Sequence, residues 1–278
     1  MQAFVVRLMR QADLALTLDW AAAEGWNPGL NDAECFHAAD PEGFFIGEMA
    51  REPVGSISAV RYDARFGFLG LYIVRPEFRG RGFGLELWRA AMRHLGERNV
   101  GLDGVVAQQE NYRKSGFTLA FRNVRYRGEG CGADPGGATE LSSIGFEDLS
   151  RYDAQVFPAP RAHFLAQWIA QSKAAALGIV GQGQLRGYGV LRRCRNGCKI
   201  GPLLADDAEI GERLFLALKS RAPGEHVFLD VPEINPAAVG LAKRHRMSPV
   251  FETARMYTKG APQAPMERCF GVTTFELG

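Results

Sequence analysis

The 278-residue sequence lacks a charge bias: 33 basic residues stand against 31 acidic ones, for a formal net charge of +2. Bulk positive charge therefore gives no basis for binding nucleic acid or an anionic membrane, and any anion site must be local. Long apolar runs are missing too. No stretch approaches the roughly 18 residues that a membrane span needs. The apolar opening, Met1 to Leu8, is short and interrupted by Arg7; it reads as a first strand, not as a leader peptide. Cysteine is sparse, at Cys35, Cys131, Cys194, Cys198 and Cys269. Five residues without regular spacing make no disulfide framework. The one close pair, Cys194 and Cys198, has no His beside it to complete a tetrahedral zinc site. No metal is expected, and a reducing cytoplasmic location is the default.

What is present is ordinary globular material, 46% hydrophobic and 23% charged, long enough for two domains that each bury a core. Gly128 to Gly137 is a run of turn formers that cannot pack a core. It divides the chain into 1–127 and 139–278, with 128–138 as linker. Before it, Phe44 to Met49 and Val54 to Tyr62 predict a hairpin, and Phe66 to Val74 a third strand. Leu85, Trp88, Met92 and Leu95 recur at helical spacing. Gly101 to Val106 follows as a strand, and Asn111 to Lys114 as a helical turn closed by Gly116.

The second half repeats this order, with strands at Ala176 to Val180, Tyr188 to Leu191 and Lys199 to Leu204, and a helix over Glu209 to Leu218. Leu102-Asp103 has its counterpart in Leu229-Asp230. Phe117, Phe121 and Arg125 match Met247, Phe251 and Arg255 at the same four-residue steps. The pattern predicts two copies of one α/β unit.

The segment richest in chemistry runs from Leu71 to Gly84. A strand there enters a turn, Arg79-Gly80-Arg81-Gly82-Phe83-Gly84, at the start of a helix. The first amides of a helix have no internal partner and point along the positive end of its dipole. Glycines admit a diphosphate close to the backbone, and Arg79 and Arg81 add charged donors, so the turn is an anion cradle. It is not a phosphate-binding P-loop, since no Lys-Ser or Lys-Thr follows. It is not a dinucleotide fingerprint either, because Leu85 stands where a third glycine is required.

Arg79-x-x-Gly82-x-Gly84 after an apolar strand resembles the acetyl-CoA signature of the GNAT superfamily of N-acetyltransferases. Tyr112-Arg113-Lys114-Ser115-Gly116-Phe117 resembles that family's Tyr-x-x-x-Gly-Phe segment. The specific match covers about residues 45 to 126. The weaker second copy resembles the subgroup with a degenerate C-terminal GNAT-like domain. The resemblance implies an α/β fold, of α+β type with a mixed sheet, in tandem. It implies acetyl-CoA as acyl donor and an amine as acceptor, with no metal. Backbone amides from Arg79 through Gly80, Arg81, Gly82 and Phe83 to Gly84 would hold the pyrophosphate. Tyr72, Ile73 and Val74 would pair with the pantetheine arm as an added strand. Tyr112, a phenol protonated at neutral pH, would be the general acid toward the departing thiolate.

Two departures stand out. Val105 occupies the position of a common CoA-contacting Asn, for which Gln108 or Gln109 could substitute. The strand Phe66 to Val74 carries no carboxylate to serve as base; Glu48, Asp63, His37 or a water chain are the candidates. Trp26-Asn27-Pro28-Gly29 is either part of an acceptor pocket or a helix-linking turn. His94 and Arg98 fall on the polar face of their helix and read as solvated. In the second copy, Leu204 to Glu212 lacks the glycine signature and sets carboxylates where phosphates would bind, and Ala242 replaces Tyr112, so no CoA is expected there. Asp230 and Glu233 are candidates to select a cationic amine, or else a turn cap and an exposed residue. Arg192, Arg193 and Arg195 form a small basic cluster, explained as well by hairpin solvation as by nucleic acid.

The leading expectation is an acyl-CoA-dependent N-acetyltransferase acting by direct attack in a ternary complex, on a small amine or a protein amine. The alternatives are a non-catalytic acyl-CoA sensor and, third, an RNA-interacting module. Neither nucleic acid nor membrane is expected as a partner, and association into a homodimer stays open.

Overall fold

The computed structural model describes residues 4–278. The first half contains β1 (Phe4–Leu8), α1 (Gln11–Ala23), α2 (Asp32–Ala39), β2 (Phe44–Met49), β3 (Glu52–Arg61), β4 (Phe66–Val74), α3 (Phe83–Leu95), β5 (Asn99–Val105), α4 (Gln109–Lys114) and β6 (Thr118–Glu129). The second half contains β7 (Thr139–Glu140), α5 (Phe146–Asp153), α6 (Ala162–Ile169), β8 (Ala175–Gly181), β9 (Gln184–Arg193), β10 (Cys198–Ala205), α7 (Ala208–Lys219), β11 (His226–Pro232), α8 (Pro236–Arg244), β12 (Ser248–Tyr257) and β13 (Cys269–Gly271). The expected first strand is β1; Met1 to Ala3 lie outside the described residues.

Among the described residues all thirteen strands share one mixed sheet, ordered β1-β2-β3-β4-β5-β12-β6-β11-β10-β9-β8-β7, with β13 on β10. The halves exchange strands: β12 lies between β5 and β6, pairing Arg255 with Asp103 on one side and Phe121 on the other. β6 in turn pairs along β11, from Asn123↔Pro232 to Glu129↔His226. Gly128 and Glu129 are therefore strand residues and not linker, because β11 supplies their hydrogen-bond partners.

Helix α2 of the first half meets α6 of the second. Phe36 and Trp168 stack there with ring centroids 6.3 Å apart. The largest apolar cluster joins Leu14, Phe36 and Leu71 to Trp168, Tyr188 and Phe275. Segment 271–278 is buried throughout and runs through this central region. Asp32 pairs with Arg192 at 2.9 Å in the same interior, so Arg192 is no solvated hairpin residue. Arg193 pairs with Glu225 and Arg195 with Asp19, so the basic cluster is neutralised residue by residue. His94 and Arg98 also depart from the solvated reading. His94 Nε2 lies 3.2 Å from the buried Asp40 carboxylate. Arg98 donates from Nε to the Asp63 carbonyl at 2.6 Å.

Candidate active site

Strands β4 and β5 run parallel and pair from Phe66↔Asn99 to Leu69↔Leu102. Beyond that point they part, while β4 stays paired to β3 as far as Val74↔Gly55. Among the described residues, the β5-facing edge of residues 70–74 is left without a strand partner. A register shift marks a bulge here, with Leu71 at φ 45°. Ser56 Oγ holds the Leu71 carbonyl at 2.8 Å. Such a bulge re-aims the backbone, and a left-handed non-glycine residue is strain of the kind found at functional sites.

A cavity of about 690 Å³ opens at this splay. Of the residues expected to hold the acyl donor, Tyr72, Ile73, Val74, Arg79, Gly80, Gly82, Phe83 and Gly84 line it, and so does Tyr112. Arg81 does not; its guanidinium stacks 5.0 Å from the Phe83 ring centroid and 5.5 Å from that of Phe78. Arg79 is engaged within the fold. Its Nε donates to the Val74 carbonyl at 2.8 Å, and its other end pairs with Glu24. It clamps the turn to the end of β4 and to the residue after α1, in place of the free donor expected.

The glycines have separable roles. Gly80 and Gly82 sit at φ 74° and 85°, where an L side chain is strained although nothing would obstruct it. A Cβ on Gly84 would come 2.6 Å from the Tyr72 hydroxyl, so this glycine admits the phenol beneath the helix. Gly82 is also the N-cap of α3 and contributes no side-chain cap. The first amides of the helix, at Phe83 and Gly84, are left without an intrahelical acceptor beside the cavity.

Tyr112 on α4 packs on β5: a Cβ on Gly104 would come 2.3 Å from its ring. Trp88 packs against it with centroids 5.9 Å apart. Burial, with a smaller contribution from Tyr72, pushes the Tyr112 phenol up to about 12. It is a neutral hydroxyl at physiological pH, and no described residue hydrogen-bonds to it.

The base candidates read from sequence are elsewhere. Glu48 pairs with Arg7. Asp63 caps its own turn, accepting from the amides of Arg65 and Phe66 at 2.7 Å each. His37 is exposed on α2, and none of the three lines the cavity. Gln108 lines it and Gln109 does not. Trp26 lines it as well, while Asn27 ties its loop to the other half through Asn196. Asp230 is fully buried and bound bidentately by Arg125, which removes it as an amine selector and as a turn cap. Glu233 accepts from the Arg122 amide. Sequence reasoning missed Phe275 and Glu276, which line the cavity from the far end of the chain. The available signal was Gly70: a glycine inside an apolar strand marks the close approach of other backbone. A Cβ there would come 2.0 Å from the Glu276 carbonyl oxygen.

The second half has the same frame, filled by its own chain. β10 and β11 pair in parallel only from Cys198↔Val227 to Ile200↔Leu229. Into the splay beyond comes β13, antiparallel to β10 through Leu203↔Gly271 and Leu204↔Cys269. Val272 N then donates to the Asp230 carbonyl of β11 at 2.9 Å. At the head of α7, the Asp207 carboxylate accepts from the Ile210 amide at 2.9 Å. Both features that stay open in the first half are closed here. Cys194 and Cys198 flank the β9–β10 turn, and among the described residues no cluster of three His, Cys, Asp or Glu converges as a metal site.

Comparison with known proteins agrees with this frame. Residues 11–117 match the model of the acetyltransferase (GNAT) family, and 149–271 match that of an acetyltransferase (GNAT) domain. The chain is 32% identical over 272 residues to holothin acyltransferase of Pseudoalteromonas sp. (strain SANK 73390), covering 94% of this chain and 90% of that one. The chain belongs to the GNAT acetyltransferase family. It is a tandem GNAT acyltransferase. Among solved structures, an acetyltransferase-like protein of Pyrococcus horikoshii superposes over 100% of this chain and 97% of its own, at TM-score 0.85 and 22% identity. A tandem GNAT protein from the clavulanic acid biosynthesis pathway covers 92% of this chain and 98% of its own, at TM-score 0.62 and 14% identity. These two show the shared fold. Among the described residues no helix is long and apolar enough to cross a membrane.

Proposed function

We propose that the protein transfers an acetyl group from acetyl-CoA to the primary amine of a small acceptor, by direct attack in a ternary complex. The observation that carries this reading is the contrast between the two halves. In residues 1–127 the helix N-terminus and the strand edge are open to one cavity; in 139–278 Asp207 and β13 close them.

The pyrophosphate sits at the amides from Gly80 to Gly84, where the helix dipole and unpartnered N–H groups favour negative charge. The pantetheine arm adds along the free edge of Tyr72 to Val74, as β13 does on β10. This sets the thioester in the splay, under Tyr112. The amine attacks the carbonyl carbon, the C–N bond forms and the C–S bond breaks. A thiol titrates near 8.5, well below this phenol, so Tyr112 stabilises the departing thiolate by a hydrogen bond and need not release its proton completely.

The acceptor end is aromatic. Trp26, Phe251 and Phe275 line it, with the Arg125 guanidinium 4.8 Å from the Phe275 ring centroid. This wall suits a small, flat or apolar amine better than a flexible polycation. Holothin, named in the relative at 32% identity, is the first acceptor to try.

The test is thermal unfolding with and without acetyl-CoA, for wild type and Gly82→Glu. Ligand at a hundred times its Kd stabilises the native state by about 2.7 kcal/mol. A rise in midpoint for wild type that is absent in the variant supports the donor site. No rise in wild type at millimolar acetyl-CoA defeats the reading.

A further inference from the structure

The cavity wall carries three carboxylates, Glu24, Asp103 and Glu276. Two are committed. Glu24 pairs with Arg79 at the cavity mouth. Asp103 is held bidentately by Arg255, at 2.8 and 2.6 Å, and accepts a further bond from Asn123 at 2.8 Å. Glu276 has no ion pair among the described residues, although it is only 3% exposed. The Thr274 hydroxyl is the one described side chain that donates to its carboxylate.

Its position matters as much as its freedom. The Glu276 backbone carbonyl lies against Gly70, the first residue of β4 past the last β4–β5 pair, Leu69↔Leu102. This is where the splay opens. Phe275, its neighbour in sequence, forms the aromatic wall with Phe251 at a centroid distance of 6.2 Å. Glu276 thus lines the cavity at the start of the splay, next to its aromatic end, and its carboxylate has no ion pair among the described residues.

We propose that Glu276 is the general base of the transfer, accepting the proton that the acceptor nitrogen loses as it attacks the thioester. This rests on the acetyl-transfer reading given above. The nitrogen lone pair forms the C–N bond, and the C–S bond breaks. Glu276 takes the nitrogen's proton and later passes it to solvent. The sulfur leaves as thiolate beside Tyr112 and is protonated from solvent, so amine plus acetyl-CoA gives amide plus CoA. The base that the β4 sequence does not carry is delivered by a segment from the other end of the chain.

The surroundings tune it for the task. Burial raises the proton affinity of Glu276, with Asp32 on α2 adding to the effect. Lys199 on β10, Arg125 on β6 and Arg192 on β9 oppose it, and the net direction is upward. A base works best when its pKa lies near the operating pH.

The experiment compares wild type, Glu276→Gln and Glu276→Asp. It measures CoA thiol release from acetyl-CoA with holothin and, separately, hydroxylamine as acceptor, from pH 5 to 9. Acetyl-CoA binding is followed in parallel by thermal shift. The expected result is a loss in kcat of about 10²- to 10⁴-fold for Glu276→Gln, with the acetyl-CoA shift retained. The acid limb of the wild-type pH profile disappears in that variant, and Glu276→Asp recovers part of the rate. A Glu276→Gln enzyme that keeps both rate and acid limb overturns the proposal. A wild type that binds acetyl-CoA but releases no thiol with either amine overturns the underlying acetyl-transfer reading instead. So does a wild type that shows no acetyl-CoA shift.

Discussion

Arg125 on β6 binds Asp230 on β11 through two bonds of 2.6 and 2.8 Å, with both side chains buried. Arg255 on β12 binds Asp103 on β5 in the same way, at 2.8 and 2.6 Å. Each pair takes its arginine from one half and its aspartate from the other. The repeat that aligned Arg125 with Arg255 and Asp103 with Asp230 is therefore stitched crosswise. The exchange of β6 and β12 makes this possible, because each exchanged strand carries its arginine into the other half's sheet.

Burial alone would raise the Asp230 carboxyl, but Arg125 and Lys199 outweigh it and hold the group below the usual carboxylate range. Breaking such a pair leaves a charge buried without a counter-ion. Asp230→Leu and Arg125→Met should each cost about 3–5 kcal/mol in urea unfolding. The double variant should be more stable than either single one, since no unpaired charge remains. Losses that simply add in the double variant would rule out the pairing as the cause.

The local parts of this architecture were legible in the sequence. Phe44–Met49 and Phe66–Val74 are strands with the bounds their apolar runs suggested, and α3 follows its helical spacing. The glycines at 80 and 82 marked a turn ahead of a helix, and the structure gives both a left-handed backbone. What could not be read was which edges meet. An apolar strand specifies a buried face and leaves its neighbour in the sheet open, so the insertion of β12 between β5 and β6 left no local trace. His94 looked solvated because helical spacing says nothing of Asp40, which reaches it from another element. Glu276 was hidden for the same reason: only the fold sets it against Gly70.

Tyr112→Phe isolates the hydroxyl, since ring packing on Gly104 and Trp88 is preserved. Thiolate is already a good leaving group, so the loss in kcat should lie at the low end for acid catalysis, about 10²-fold. Acetyl-CoA binding should be unchanged. A variant with wild-type kcat in single-turnover thiol release would remove Tyr112 from the mechanism.

Opening α7 should not create a second donor site. Asp207→Ala removes the cap on the Ile210 amide and should cost about 1 kcal/mol. The splay between β10 and β11 remains filled by β13, so the stoichiometry of acetyl-CoA in titration calorimetry should stay at that of wild type. A doubled stoichiometry would show that the cap alone had kept the second half silent.

Glu276 should weaken the fold at neutral pH. Its folded-state pKa lies above its unfolded value, so the folded state binds more protons between the two. The stability this proton affinity contributes is full below the unfolded value, near 4.3, and is lost as pH rises through the folded one. The charged form that remains is buried without an ion pair among the described residues, although Lys199, Arg125 and Arg192 soften the cost and Asp32 adds to it. Glu276→Gln removes that charge and keeps the shape. Its unfolding midpoint should therefore exceed that of wild type at pH 7 to 8, and the gap should close as pH falls toward 4. A gap independent of pH would mean that the variant acts through packing, whereas the expected slope would mark a carboxylate kept at a cost in stability for the chemistry it performs.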